Sequence, residues 1–83
     1  MASAGSMIAQ ARIAVGMSID ELAYKSKLRS TIIAAIESDD FSLCGGEVYA
    51  RGQVRALAAI VGLEPDDVMA AYEASQLHGG SPA

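Results

Sequence analysis

Tryptophan is absent from this chain, and phenylalanine, cysteine and histidine each occur once. The lone Cys44 excludes an internal disulfide and fits a reducing compartment. One histidine and one cysteine are too few for a zinc site of the usual ligand set. There are only two prolines, Pro65 and Pro82, so long stretches are free to be helical. No apolar run is longer than the segment from Ala56 to Leu63, whereas a bilayer span needs about 20 residues. The N-terminus has neither the basic start nor the apolar run of a signal peptide. Basic residues are also scarce, 6 against 10 acidic, for a net charge of −4. Non-specific nucleic-acid binding works by neutralising phosphates with Lys and Arg, so an acidic domain starts at a disadvantage there. The charge is uneven, however. Residues 1–36 carry a net of +2 and residues 37–83 a net of −6, so an anionic partner would meet the first half.

What remains is 83 residues of mostly small apolar composition: 52% hydrophobic, 19% charged, with 16 alanines. That is one small globular domain with a thin core, too short for a nucleotide-binding α/β enzyme or a barrel. Alanine has the best intrinsic helix propensity, and the apolar spacing agrees with it. The first helix is expected from Met7 to Val15, with Ser6 as its cap and Ile8, Ala11 and Val15 on one face. Gly16 ends it in the left-handed conformation. Ser18, with Glu21 three residues on, opens a second helix by the capping-box pattern and runs to about Ser26. A third spans Ser30 to Glu37, burying Ile33 and Ile36. A fourth spans about Glu47 to Val61, with Val54, Leu57, Ala58 and Val61 facing inward. Gly62 stops it, and Pro65 followed by Asp66 and Asp67 opens a fifth to about Ala74, burying Val68 and Tyr72. No strand pattern competes. The domain is expected over residues 7–75, between a flexible N-terminus (1–6) and a linker-like tail (76–83).

Residues 19–38 fit the helix-turn-helix template, in which two short helices meet at a steep angle over small or apolar crossing residues. Leu22, Ala23, Leu28, Ile33 and Ile36 occupy the positions that need such side chains. The turn position that favours glycine holds Lys27, which takes the left-handed conformation at a cost of about 1 kcal/mol. The segment IAQARIAVGMSIDELAYKSKL (8–28) resembles the opening of the Xre/Cro-like repressor superfamily. The segment DFSLCGGEVYARGQVRALAAIVGLEPDDV (40–68) is narrower. Its Val48-Tyr49-x-Arg51-Gly52-Gln53-x-Arg55 run and its Gly62-Leu63-x-Pro65 turn resemble the cytoplasmic N-terminal domain of the RodZ-like cell-shape family.

The resemblance implies an all-α, five-helix domain of the Xre/λ-repressor-like helix-turn-helix class. It implies a non-catalytic adaptor with no cofactor and no metal. It also implies a cytoplasmic location, tethered to the inner face of a membrane through a segment downstream of this one, without direct membrane contact by the domain itself. The implied partner is a protein, an MreB-like actin or a divisome component, met through the fourth helix and the adjacent loop. Two aromatics one turn apart serve there in the family; here the positions are Tyr49 and Gln53. Arg51 and an outward-pointing Ile32 complete the expected protein-binding set. The alternative for Tyr49 is packing against the fifth helix. For Arg51 and Arg55 it is pairing with Glu47 or Asp39.

The rival reading is an Xre-type DNA-binding regulator. In that superfamily the start of the third helix enters the major groove. The matched base-reading positions are Ser30, Thr31 and Ala35, short side chains that reach base edges poorly. Lys25, Lys27 and Arg29 cluster at the turn, where they form a solvated edge, contact phosphates, or meet an acidic protein. DNA binding is expected to be weak or incidental. Arg12 and Glu37 match a pair that ties the first helix to the third in Xre-like domains, and are expected to form an ion pair. His78 stands alone in the tail, and Gly45-Gly46 lack the spacing of a phosphate loop, so no catalytic residue is expected.

Overall fold

The computed structural model describes residues 2–79. Among them are five α-helices and no strand: α1 (Ala4–Ala14), α2 (Ile19–Ser26), α3 (Ser30–Glu37), α4 (Glu47–Ile60) and α5 (Pro65–Gly79), with a 3₁₀ turn at Ser42–Cys44. Helices α2 and α3 are the helix-turn-helix. Helix α1 packs across α3 and α5, and α4 lies along α5 and against α2. One apolar core joins all five. Ile8, Leu22, Ile33, Ile36, Val54, Leu57, Val68 and Tyr72 are its largest fully buried side chains. Phe41, in the loop before α4, meets Tyr72 edge-on, with ring centroids 4.9 Å apart.

The helix boundaries follow from local chemistry in the middle of the chain and depart from expectation at both ends. Ser18 Oγ accepts the Glu21 N–H at 3.0 Å, and the Glu21 carboxylate accepts the Ser18 N–H at 3.0 Å, so α2 begins with a reciprocal cap. Helix α1 starts at Ala4 rather than Met7, and Ser3 caps it instead of Ser6. Ser6 is instead the N3 partner in a second capping box with Ser3. Residues 4–6, expected to be part of a flexible N-terminus, are helical, and Ala4 and Gly5 are buried. Val15 is a correction of the same kind. It is the C-cap residue just before left-handed Gly16, where the chain turns away, and it is 59% exposed rather than buried. Helix α5 continues past Ala74 to Gly79. Residues 80–83 of the expected tail and the side chain of His78 lie outside the described residues.

Lys27 is the C-cap of α2, at φ 64° and ψ 20°, with its N–H on the Ala23 carbonyl at 2.9 Å. A residue with a Cβ is disfavoured there, and glycine is not. Lys27→Gly is therefore expected to stabilise the domain by about 0.5–1 kcal/mol, a rise of roughly 2–8 °C in melting temperature for a domain of this size. A calorimetric scan checks it, and a lower melting temperature would mean that the turn carries no strain.

Candidate binding face

The turn between α2 and α3 presents Lys25, Lys27 and Arg29, all exposed. None forms an ion pair among the described residues, whereas each of the other three basic side chains does. Arg12 is held by Glu37 through two bonds, Nε to Oε2 at 2.7 Å and Nη2 to Oε1 at 3.0 Å, and its Nη1 donates to the Met17 carbonyl at 2.9 Å. The two side chains are 13% and 9% exposed. Arg51 bridges Glu47 at 3.1 Å and Glu73 at 2.8 Å, with its guanidinium 5.5 Å from the centre of the Tyr72 ring. Arg55 reaches Asp66 at 3.3 Å. Asp39, one of the carboxylates offered to these arginines by the sequence, instead accepts the Gly5 N–H at 3.0 Å. The free positive charge of the domain is therefore concentrated at the helix-turn-helix turn. Of the matched base-reading positions, Thr31 is exposed, and Ser30 and Ala35 are half-buried.

The N-terminal half of α4 presents the other feature. Val48 is 81% exposed and Tyr49 65%, so Tyr49 does not pack into the α4–α5 interface. Beside them a shallow groove of about 300 Å³ opens between α4 and the turn. Ser26 and Leu28 line one wall, and Val48, Tyr49, Gly52 and Gln53 the other. Gln53 reaches across the base of α4, where its Nε2 donates to the Cys44 carbonyl at 3.3 Å. Its Oε1 is buried without a hydrogen-bond partner. Burial also pushes the Cys44 thiol up, away from the reactive thiolate.

The expected sites thus divide. Tyr49 and Gln53 lie together on the groove, and the wall opposite them belongs to the basic turn. Arg51 is turned to the far side of α4 by Glu47 and Glu73 and does not line this groove. Ile32 does not point outward. It is half-buried against the core, because α3 buries a stripe wide enough to include it beside Ile33 and Ile36. The sequence reading missed Leu28 and Gly52 as groove residues. Val48, Gly52 and Ala56 recur every fourth position, which is a visible signal, but two of the three are small enough to pass as ordinary helix filling.

Among the described residues, no three His, Cys, Asp or Glu side chains gather as a metal-binding group, and no helix is long and apolar enough to cross a membrane. Residues 7–68 match the model of the family described as "Helix-turn-helix domain". The cytoskeleton protein RodZ of Streptococcus pneumoniae (strain ATCC BAA-255 / R6) is 32% identical over 73 residues. That match covers 88% of this chain and 26% of the relative, so the chain spans about a quarter of that protein's length. A solved structure of YmfM, a candidate DNA-binding membrane protein from Staphylococcus aureus, superposes with a TM-score of 0.80 at 23% identity. It covers 88% of this chain and 89% of the other. The likeness to YmfM, at that identity, is one of fold. The chain belongs to the helix-turn-helix domain family, as a RodZ-like member of it.

Proposed function

We propose that this domain is a non-catalytic protein-binding module that docks a cytoskeletal or divisome partner, such as an MreB-like actin or a divisome protein, through the N-terminal half of α4. The carrying observation is the exposure of Val48 and Tyr49 beside a groove, on a helix whose opposite face is sealed against α5. An exposed aromatic next to a cleft is the common form of an interface anchor. The RodZ relative is a cytoskeleton protein by name, which favours a protein partner over a nucleic acid. The module would act on the inner face of a membrane, tethered through a segment outside these 83 residues.

The rival reading, DNA regulation, draws on the unpaired cations of the turn and on the description of YmfM. The short side chains at Ser30, Thr31 and Ala35 weigh against specific base contact. The expected result is a dissociation constant for DNA no tighter than roughly 10⁻⁶ M at physiological salt, the non-specific range. Three phosphate contacts would give a salt slope of about −3. For the protein partner, Tyr49→Ala is expected to weaken binding to the MreB-like actin of the same source at least about tenfold, the loss of an interface anchor. Titration calorimetry with the actin and a salt titration with genomic fragments check both. A fragment held a thousandfold above random DNA, with the preference lost in a Ser30→Ala/Thr31→Ala double variant, would overturn the adaptor reading.

A further inference from the structure

The division of the six basic side chains says more about the partner than the exposed tyrosine does. Arg12, Arg51 and Arg55 are each satisfied by the domain's own carboxylates. Glu47, Glu73 and Asp66 are occupied in doing so, and Glu21 is occupied in the cap of α2. Nothing among the described residues answers Lys25, Lys27 and Arg29. These three alternate in sequence with Ser26 and Leu28, which form one wall of the groove whose other wall carries Val48 and Tyr49. The free charges therefore belong to the same turn that supplies one wall of the cleft. Between the walls the floor is open: a methyl group built on Gly52 would find no atom within 4 Å.

We infer that the occupant of this groove is an acidic protein segment. It seats one apolar side chain over Gly52, between Leu28 and Tyr49, and sets its carboxylates against Lys25, Lys27 and Arg29. The inference rests on the protein-docking reading above and names the chemistry of the partner. A nucleic acid would satisfy the cations but leave Val48 and Tyr49 against phosphates, with no gain from their burial. A bilayer surface has no use for a cleft. Exposed charges at the rim of an apolar contact act mainly on encounter rate and salt dependence, while the buried side chain holds the complex.

The test begins with a display library of random short peptides selected on the intact 83-residue domain. The expected winners are net acidic, with Asp or Glu flanking a Leu, Met or Phe. The best such peptide then serves as the probe. Its amide shift perturbations should map to residues 25–29 and 48–56. Its affinity should fall on the order of tenfold in a Lys25→Glu/Lys27→Glu variant, and by a smaller factor for the parent when salt is raised. Both lysines are exposed and have no ion-pair partner among the described residues, but they sit at the C-terminal end of α2. The variant should therefore melt cooperatively and only a few degrees below the parent, which excludes misfolding as the cause. Neutral or basic winners, no winners at all, or acidic winners indifferent to the charge reversal would overturn the inference. So would a random DNA duplex or phosphatidylglycerol vesicles perturbing the same amides more strongly than the peptide. The two readings fail differently. Peptide binding lost in Tyr49→Ala but unaffected by charge reversal would retain docking on α4 and remove the acidic partner. Binding indifferent to both substitutions would remove both.

Discussion

Gly5→Ala is expected to be among the most damaging single substitutions in this domain, although it adds only a methyl group. Helix α1 lies so close to the end of α3 that a Cβ on residue 5 would overlap the Ile36 carbonyl oxygen. It would also sit 2.8 Å from the Glu37 carbonyl oxygen and 2.8 Å from Asp39 Oδ1. Two of these three atoms are backbone and cannot swing aside as a flexible side chain would. Relief requires α1 to lift off α3. That would stretch the bond from the Gly5 N–H to Asp39 and disturb the packing of α1 on α3 in the shared core, where Ile8, Ile33 and Ile36 are fully buried. Forced overpacking of this kind costs about 1–3 kcal/mol, and a rigid backbone obstacle puts this case at the upper end. For a domain of this size that is a fall of roughly 10–20 °C in melting temperature. Thermal denaturation of the variant checks it, and a melting point within a few degrees of the parent would show that α1 slides freely.

Glu37→Ala is the second large effect. It removes the carboxylate that takes two bonds from Arg12 and leaves a guanidinium that is only 13% exposed with a single remaining acceptor, the Met17 carbonyl. An unpaired charge in such a place costs about 3 kcal/mol. Yet the same physics says that the pair contributes little net stability compared with apolar groups of similar shape, because both charges were taken out of water to form it. The Arg12→Met/Glu37→Leu double variant should therefore recover most of the loss. Urea titrations of the two singles and the double give the coupling directly. A Glu37→Ala variant within about 0.5 kcal/mol of the parent would place the pair among ordinary surface bridges.

The parts of this fold that the sequence made legible are those governed by neighbours. Ser18 with Glu21, Lys27 at the turn and Pro65 ahead of two aspartates each declare a helix end within four residues, and α2, α3 and the start of α5 lie where those signals put them. The start of α1 was less legible because Ser3 and Ser6 are chemically equal candidates. The helix is capped by Ser3, and that start also sets the Gly5 N–H on the Asp39 carboxylate, a contact 34 residues away that no local pattern declares. The same applies to the face. Tyr49 could be singled out by its place in a motif, but the fate of Arg51 depends on Glu73, 22 residues further on. The groove itself exists only because the turn at Leu28 comes to rest beside Gly52. Ile32 misled for a related reason. Helical spacing gives the direction of a buried stripe but not its width, and in an eight-residue helix packed by several neighbours the stripe is wide.

Lys25 and Lys27 are the only lysines in the chain, and both sit on the unpaired turn. Apart from the terminal amine, every primary amine of the domain is therefore on the turn that supplies one wall of its candidate docking face. Coupling to an amine-reactive sensor chip, labelling with a succinimidyl dye or cross-linking through lysine would mask the very surface under study. Attachment through the C-terminus, or through an added tag, leaves the face open. Conversely, protection of these two amines from acetylation in the presence of a bound partner would report occupancy of the turn without any change to the sequence.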